Sequence, residues 1–496
     1  MSKATIIVDR DYRLASVEPY LFGSFIEHLG RAVYSGIYEP GHPRANEQGF
    51  RSDILELVRE LGVRIVRYPG GNFVSGYNWV DGIGPKDQRP RRLDLAWKSI
   101  ETNEFGIDEF VDWCRQAGTD VMAAENLGTG TPQDAGNLLE YCNHPSGTYW
   151  SDLRITHGHR EPHNIQVWCL GNEMDGPWQI CHLEADDYGK KARETAKIMK
   201  WIDPDVRLVV TGSSGPGMPT FPDWDRTVLE YTYDQVDYIS LHRYYENLGD
   251  IQDFLSSFVD MDRFIRSVVA TADYVKAKTR SKKTMMLSFD EWNVWYTKQV
   301  QLQPWAQTPA ILEDRYSLLD ALVVGGLIIT LLNNADRVRM AALAQLVNVI
   351  APIFTETGGR VIRQSTFYPF AMASQHGSGT VLHPLVQCDM EGTQNYEAVP
   401  LVHTAVVYNE EISELTLFIL HRGKEPTGLT MEFRSFGKLS MQEHQILDGP
   451  NLDATNDFDH PDRVKPRQDK PISGLASSFT LNIPAYSWNM LRFKVQ

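Results

Sequence analysis

The feature that most constrains the fold of this chain is a regular alternation of short apolar segments with longer amphipathic segments. Between residues 19 and 351, a strand-like run is followed by a helix-like run eight times. Strands that alternate with helices pair in parallel through right-handed crossovers. The alternation therefore predicts a closed (β/α)8 barrel, with an open doubly wound sheet as the structural rival. The glycine clusters at 128–130 and 212–217 lack the complete dinucleotide-binding fingerprint and do not favour that rival.

The alternation assigns each predicted element to a definite stretch of the chain. The predicted strands cover residues 19–28, 63–68, 120–124, 164–171, 206–211, 236–241, 284–291 and 323–332. The predicted helices cover residues 51–61, 104–117, 133–143, 185–202, 223–233, 251–278, 309–321 and 336–351. The first helix is typical, because Ile54, Leu57 and Leu61 fall on one face and Gly62 follows as a C-cap.

The pattern changes after about residue 375, where short β-rich segments are separated by turns. These segments cover residues 402–409, 413–421, 427–433, 479–483 and 488–495. We predict a barrel over residues 17–375 and an all-β, jelly-roll-like sandwich over residues 376–496. The N-terminal strand within residues 1–16 is expected to join the sandwich.

Composition and charge exclude several classes of function. The chain has 496 residues and a formal net charge of −16, which argues against binding to nucleic acids and to anionic membranes. The longest apolar run, at 321–332, is too short to span a bilayer, and charged residues follow the N-terminus too soon for a signal peptide. The chain has an odd number of cysteines, five, and no CxxC pair, as expected of free thiols in a reducing compartment. We expect a cytoplasmic protein that binds neither nucleic acids nor membranes.

Polar side chains follow most of the predicted strands, at the points where the strands end. The active site of a (β/α)8 barrel lies at the carboxyl ends of its strands, so these side chains are candidate site residues. They are rich in carboxylates, amides and aromatic rings, and they include neither an obvious metal cluster nor a serine elbow. In chain order they are Glu27, His28, Arg67, Asn72, Glu125, Asn126, Asn172, Glu173, His242, Tyr244, Asp290, Glu291 and Trp292.

Two of these strand ends carry glutamates that can face each other across the barrel. Glu173 and Glu291 end the fourth and seventh predicted strands, which lie three units apart around a ring of eight. Facing carboxylates suit glycoside hydrolysis, in which one protonates the leaving oxygen and the other attacks the sugar or activates water. Tryptophans in the neighbouring loops, Trp97, Trp178 and Trp295, are suited to stacking on sugar rings.

Each candidate also has a plain structural interpretation. A single glutamate at a strand end commonly serves as a cap or as an ion-pair partner, but a matched pair beside Asn172 and Trp292 favours catalysis. Packing of Trp97 within its own loop is the alternative to a role in binding, and His242 is predicted to be a hydrogen-bonded neighbour rather than a base. The histidines at 157, 159 and 163 could bind a metal, but they precede strand four. We therefore predict no metal site.

At these residues the chain resembles the α-L-arabinofuranosidases of glycoside hydrolase family 51, and the match runs nearly end to end. An asparagine-glutamate pair after strand four occurs in many retaining glycosidases with this barrel, whereas the complete set of motifs is much more specific. The segments that carry the resemblance are residues 22–30, 67–73, 168–176, 240–245, 290–293 and 344–348.

The resemblance implies a retaining exo-acting hydrolase that needs no cofactor and commonly forms hexamers. It implies that Glu173 is the general acid/base and Glu291 the nucleophile. By the same match, Arg67 and Tyr244 would hold the nucleophile, and Trp97 and Trp295 would shape the side of the pocket that binds the leaving group. The residues implied to bind the arabinofuranose hydroxyls are Glu27, Asn72, Asn172 and Gln345. One departure is Glu125, where a small or apolar residue is expected; it adds a third acid near the barrel mouth.

The predicted function is release of terminal non-reducing α-L-arabinofuranosyl residues from oligosaccharides derived from arabinoxylan or arabinan. Arabinofuranosyl-decorated oligosaccharides are then the binding partners, and a homo-oligomer is the implied assembly. Two alternatives remain open at this point. One is another retaining barrel glycosidase, of the endo-β-glycanase type, and the other is a sugar-binding protein without catalytic activity.

Overall fold

A computed structural model of the chain describes residues 2–296 and 304–496. Its N-terminal two thirds contain two strands that precede the barrel, the barrel strands themselves, and a hairpin inserted after the second barrel strand. In chain order these strands are β1 (Ser2–Asp9), β2 (Arg13–Ser16), β3 (Gly23–Phe25), β4 (Ile65–Tyr68), β5 (Arg92–Asp94), β6 (Ser99–Glu101), β7 (Asp120–Ala124), β8 (Val167–Leu170), β9 (Arg207–Val210), β10 (Tyr238–Tyr245), β11 (Met286–Val294) and β12 (Val338–Ala344).

The strands β3, β4 and β7 to β12 form a closed barrel in which chain order is also spatial order. All neighbouring pairs are parallel, and the ring closes where β12 pairs with β3. The predicted (β/α)8 barrel is confirmed. The register between β10 and β11 pairs His242 with Glu291 and so brings two candidate site residues side by side.

Helices follow the barrel strands and surround the ring. Gly62 and Gly118 end the first two helices in the left-handed conformation that favours glycine, as the sequence predicts for Gly62. The α-helices are α1 (Ser52–Leu61), α2 (Ile107–Ala117), α3 (Pro132–Asn143), α4 (Tyr149–Thr156), α5 (Ala185–Ile202), α6 (Asp223–Thr232), α7 (Ile251–Leu255), α8 (Ser257–Thr279), α9 (Leu318–Asn333) and α10 (Phe367–His376).

The predicted strand at 284–291 matches β11, but the last three predicted elements are misplaced, and two of them are of the wrong type. The predicted strand at 323–332 lies within α9, the predicted helix at 309–321 covers only the start of α9, and the predicted helix at 336–351 contains β12. The cause is that α9 packs between the barrel and the sandwich and is buried on all sides. Its glycines Gly325 and Gly326 lie directly against Trp488 and Leu420. A helix that is apolar all round shows no amphipathic period, so its run looks like a buried strand.

The remaining strands build the C-terminal region. The strands are β13 (Ile353–Thr355), β14 (Val361–Arg363), β15 (Thr380–Leu382), β16 (Leu385–Gln387), β17 (Met390–Glu391), β18 (Val399–Pro400), β19 (Val402–Asn409), β20 (Glu414–His421), β21 (Thr427–Arg434), β22 (Leu439–Leu447), β23 (Arg467–Asp469), β24 (Ser478–Ile483) and β25 (Ser487–Val495). A seven-stranded sheet, in the order β2-β15-β19-β20-β25-β22-β23, accompanies a four-stranded sheet in the order β16-β1-β21-β24, so β1 lies between two strands of this region.

The two sheets enclose an apolar core of their own, to which Ile6, Leu417, Leu429 and Phe493 contribute buried side chains. The all-β character predicted for this region is confirmed. Among the helices of residues 2–296 and 304–496, none is both long enough and apolar enough to cross a membrane.

Candidate active site

A pocket of about 570 Å³ opens at the carboxyl ends of the barrel strands. Eight of the ten site residues that the family resemblance implies line it. They are Glu27, Asn72, Trp97, Glu173, Tyr244, Glu291, Trp295 and Gln345. The other two, Arg67 and Asn172, lie directly behind this lining, where the guanidinium of Arg67 contacts Glu291 and Asn172. The structure therefore brings all ten residues implied by the family resemblance into one site.

The two predicted catalytic carboxylates lie close together beside His242. An oxygen of Glu173 and an oxygen of Glu291 lie within 4.8 Å of each other. The Nδ1 atom of His242 is 3.0 Å from Glu173 Oε1 and 3.5 Å from Glu291 Oε2. The other ring nitrogen of His242 is 3.1 Å from Asp290 Oδ1. One imidazole thus joins three carboxylates.

Glu291 is held by two strong donors. Arg67 Nη1 donates to Oε1 at 2.6 Å, and the Tyr244 hydroxyl donates to Oε2 at 2.8 Å. Both oxygens therefore face donors, one of which is a buried cation, and this arrangement stabilises negative charge on the carboxylate. Burial lowers the pKa of Arg67, but the charges of Glu291 and Asp290 together raise it by more. The net effect is a raised pKa, so the guanidinium stays charged.

The surroundings of Glu173 act on its pKa in both directions. Burial raises its pKa, and the charge of Glu291 adds to the rise, while hydrogen bonds from His242 and Trp178 oppose it. Trp178 Nε1 donates to Glu173 Oε2 at 2.6 Å. Burial lowers the pKa of His242, but Glu291 and the hydrogen bonds to Asp290 and Glu173 raise it to about 10. At neutral pH this histidine is therefore an imidazolium that donates to both neighbours.

The inner end of the pocket is polar and closely packed. Glu27 accepts hydrogen bonds from the Phe73 amide at 2.8 Å and from Trp97 Nε1 at 3.0 Å, and burial raises its pKa to about 8. The backbone amide of Glu27 in turn donates to Gln345 Oε1 at 3.1 Å. Trp97 is thus bonded to a pocket carboxylate and does more than pack within its loop.

Two glycines after β4 allow the loop to approach these carboxylates. A Cβ atom at Gly70 would lie 2.6 Å from Glu27 Cγ, and a Cβ atom at Gly71 would lie 3.0 Å from Glu291 Oε1. Larger residues would displace the acids, which explains why two glycines precede Asn72.

Comparison with known proteins gives the family. Residues 57–266 match the α-L-arabinofuranosidase 1 domain, and residues 290–487 match the α-L-arabinofuranosidase C-terminal domain. The chain is 52% identical over 500 residues to intracellular exo-α-(1→5)-L-arabinofuranosidase 1 of Bacillus subtilis (strain 168), with 100% of both chains covered. Its fold matches that of a family 51 α-L-arabinofuranosidase from Bifidobacterium longum, with a TM-score of 0.97, 44% identity, and 99% and 100% of the two chains covered.

The chain belongs to the α-L-arabinofuranosidases of glycoside hydrolase family 51. A further relative, the intracellular exo-α-(1→5)-L-arabinofuranosidase of Halalkalibacterium halodurans, is 52% identical over 494 residues, with 99% of this chain and 98% of that protein covered. The resemblance inferred from the motifs is confirmed, and so is the predicted enzyme class. Membership of this family does not support the two alternatives, an endo-β-glycanase and an inactive sugar-binding protein.

In this arabinofuranosidase, some pocket residues were not predicted from the sequence. Ser214, Gly215 and Arg243 line the pocket, although the sequence indicates only a weak glycine cluster at 212–217. Trp178 was predicted to stack on sugar, but its hydrogen bond to Glu173 was not. That bond depends on the path of the loop after β8, and hydrophobic periodicity does not predict the path of a loop.

Glu125 does not reach the active-site pocket. It follows β7, but its side chain lines a separate cavity of about 20 Å³ together with Tyr77, apolar residues and Asn126, a second predicted candidate that lies outside the pocket lining. Burial raises the pKa of this carboxyl well above its ordinary value. Glu125 Oε1 and the Tyr77 hydroxyl have no hydrogen-bond partner among the described residues.

The histidines before strand four lie outside the pocket lining. His163 Nε2 is 2.7 Å from Asp108 Oδ1, and the Tyr141 hydroxyl donates to Asp108 Oδ2 at 2.7 Å. His159 Nε2 is 3.9 Å from the same carboxylate. Asp108, His159 and His163 could each direct a ligand atom to one point, but Asp108 already accepts two hydrogen bonds from its neighbours.

Proposed function

We propose that this arabinofuranosidase is a retaining, exo-acting enzyme that works by double displacement through Glu173 and Glu291. The observation that carries the proposal is the separation of the two carboxylates, whose nearest oxygens lie within 4.8 Å. Retaining glycosidases place their carboxyl groups roughly 5–5.5 Å apart, whereas inverting enzymes leave roughly 6.5–9.5 Å for a water molecule.

In the first step, Glu291 attacks the anomeric carbon while Glu173 protonates the oxygen of the departing group. The donors Arg67 and Tyr244 keep Glu291 in the anionic form that attack requires. Burial and the neighbouring charge of Glu291 raise the pKa of Glu173, which favours the protonated form that acid catalysis requires. Attack forms a glycosyl ester on Glu291 and releases the aglycone.

In the second step, Glu173 has lost its proton and acts as a base. It removes a proton from water, the water attacks the anomeric carbon, and the ester bond to Glu291 breaks. The product is arabinose with the configuration of the substrate. His242 donates to Glu173 Oε1 and would hold the carboxylate in place through both steps.

The proposed substrate carries an arabinofuranosyl residue at its non-reducing end, and the enzyme removes that terminal sugar. Glu27, Asn172 and Gln345 are almost fully buried and would bind the hydroxyls of one terminal sugar together with Asn72, whereas Trp178 at the rim is 50% exposed. Trp97 and Trp295 would contact the aglycone. The relatives' names support an α-(1→5) linkage, as in oligosaccharides from arabinan, and the decorations of arabinoxylan fragments are further substrates.

We also propose an intracellular location, because the relatives described above are named intracellular enzymes. The hexamer implied by the family resemblance is proposed as the assembly. Sedimentation equilibrium would give the mass of about six chains of 56.4 kDa, and a monomeric mass would reject the hexamer.

The roles of the two carboxylates can be separated with Glu291→Ala and Glu173→Ala. We expect Glu291→Ala to abolish turnover of aryl arabinofuranosides, and added azide should not restore a retained product. Glu173→Ala should spare substrates with good leaving groups far more than those with poor ones, because good leaving groups need no proton. Substantial activity in Glu291→Ala would reject the nucleophile, and equal losses on both substrate types in Glu173→Ala would reject the acid.

A further inference from the structure

The two oxygens of Glu173 are bound by groups that differ greatly in exposure to solvent. Oε1 accepts from His242, which is 2% exposed and is fixed from its other side by Asp290. Oε2 accepts from the indole N–H of Trp178, whose side chain is half exposed at the rim of the pocket. One oxygen is thus held by a buried imidazolium, and the other is capped by a ring that borders solvent.

The indole nitrogen is a donor only, so Glu173 Oε2 must act as an acceptor while this hydrogen bond exists. A separation of 2.6 Å is typical of a hydrogen bond to a charged oxygen. The proton that an acid catalyst delivers must lie on an oxygen that can face the leaving group. Because His242 occupies Oε1, that oxygen is Oε2, where the Trp178 N–H now points.

We propose that Trp178 is a positioning residue that holds Glu173 in its base form and withdraws from Oε2 when Glu173 acts as an acid. The proposal rests on the acid/base role proposed for Glu173. It extends that role because Trp178, a residue at the rim of the pocket, would control whether Glu173 acts as an acid or as a base. In the first step the leaving-group oxygen takes the place of the indole at Oε2. In the second step the indole returns once the aglycone has left, and it stabilises the carboxylate that activates water.

The loop after β8 allows this movement. The Trp178 ring lies over Gly176, where a Cβ atom would be 2.5 Å from the indole, so this position gives the ring space that another residue would fill. In the structure the indole N–H donates to Glu173, which lies five residues earlier in the chain. The titratable groups that face Glu173 from other elements are His242 and Tyr244 on β10 and Glu291 on β11.

The test is Trp178→Phe, which keeps an aromatic ring and removes the N–H. Without that donor the carboxylate of Glu173 is less stable, so its pKa rises. We expect the alkaline limb of kcat/KM on substrates with poor leaving groups to move upward by about one pH unit. For a substrate limited by the second step, the acid limb of kcat should move upward as well, because the base form now requires a higher pH.

The matched control is Trp295→Phe, on the opposite wall of the pocket. Trp295 Nε1 has no hydrogen-bond partner within residues 2–296 and 304–496, so this change alters a pocket tryptophan without removing a hydrogen bond. Both pH limbs of Trp295→Phe should match those of the wild type, even if KM changes. If Trp178→Phe raises KM but leaves both limbs in place, Trp178 is a stacking surface alone and the proposal is overturned.

A second measurement uses the unaltered enzyme. The 15N and 1H resonances of the Trp178 indole should titrate with Glu173, and those of the Trp295 indole should not. An indole resonance of Trp178 that ignores the titration of Glu173 would contradict the proposal even if the variant failed to fold. If the wild type shows no turnover of arabinofuranosides, the proposed function itself fails, which is a different outcome.

Discussion

The surroundings of Glu291 differ from those of Glu173, although both glutamates lie on the carboxyl side of the barrel and neither side chain is more than 12% exposed. Glu291 is held by a buried guanidinium and a phenol, and these two donors face both of its oxygens. Glu173 has a buried imidazolium on one oxygen and a half-exposed indole on the other. A nucleophile must stay ionised throughout, whereas an acid/base must gain and lose a proton. Different surroundings give identical side chains these different properties.

The strongest way to break this comparison is to remove the cation from Glu291. In Arg67→Met we expect kcat/KM to fall by about 10³-fold, at the upper end of the loss that follows removal of one preorganised donor from an active site. Stability should fall as well, by about 3–5 kcal/mol, because one partner of a buried ion pair is removed. Arg67→Lys keeps the charge but loses the forked contact to Glu291 and Asn172, so its loss should be smaller. Steady-state kinetics with circular dichroism as a folding check would measure both. A nearly active Arg67→Met would show that Glu291 does not depend on this cation.

The second-largest effect is expected from changing His242, the imidazolium that lies between Glu173 and Asp290. His242→Gln should lower kcat by about 10²-fold, because Glu173 loses a charged donor. The pKa of His242 is about 10 in the folded protein, compared with about 6.5 in an unfolded chain. The proton therefore stabilises the fold fully below pH ~6.5, and this contribution is lost as the pH rises through 10.

Calorimetry of the two proteins tests this linkage. The wild type should have the higher Tm near pH 6, and its advantage over His242→Gln should shrink steadily toward pH 10. A difference in Tm that stays constant over this range would show that His242 carries no extra proton in the folded enzyme.

Tyr244→Phe removes the neutral donor from Glu291 and leaves Arg67 in place. We expect kcat/KM to fall by about 10–100-fold, as for one hydrogen bond to a charged group. The loss should be similar for good and poor leaving groups, because it affects attack rather than protonation. Kinetics over a series of aryl leaving groups would show this, and a loss confined to poor leaving groups would place Tyr244 on the side of the acid instead.

Glu125, a further glutamate at a strand end, sharpens the comparison because it lacks the donors that Glu173 and Glu291 have. Glu125 Oε1 has no partner among the described residues and lies in a small cavity away from the pocket. Glu125→Leu should raise Tm by about 1–3 °C, because an unpartnered buried carboxyl costs about 1–3 kcal/mol. kcat and KM should not change. A loss of stability would show that the carboxyl has a partner in solution.

Much of this site could be predicted from the sequence because barrel geometry maps strand ends to one place. Asn172-Glu173 follow β8 and Asp290-Glu291 lie in the second half of β11, and parallel strands in a closed ring bring their carboxyl ends together. Gln345 was placed in the site by the family resemblance alone, since β12 was predicted to be a helix. α9 is apolar on all sides because the sandwich, which is distant in sequence, covers the side that faces away from the barrel. Its sequence therefore shows no amphipathic period.

The features that sequence could not predict depend on side-chain direction. Glu125 and Glu173 both follow barrel strands, yet one faces a closed cavity and the other faces the pocket. Successive residues of a strand point to opposite sides, so a shift of one position at a strand end changes the surroundings of a side chain completely. The bond between Trp178 and Glu173 depends likewise on a loop whose path no repeating pattern describes.

The most direct test of the two-carboxylate account is the configuration of the first product. Proton NMR during early turnover of an aryl α-L-arabinofuranoside by the wild-type enzyme would follow the anomeric signal before mutarotation. The short separation of Glu173 and Glu291 predicts that α-L-arabinofuranose forms first. Initial formation of the β anomer would mean direct attack by water and would contradict the account.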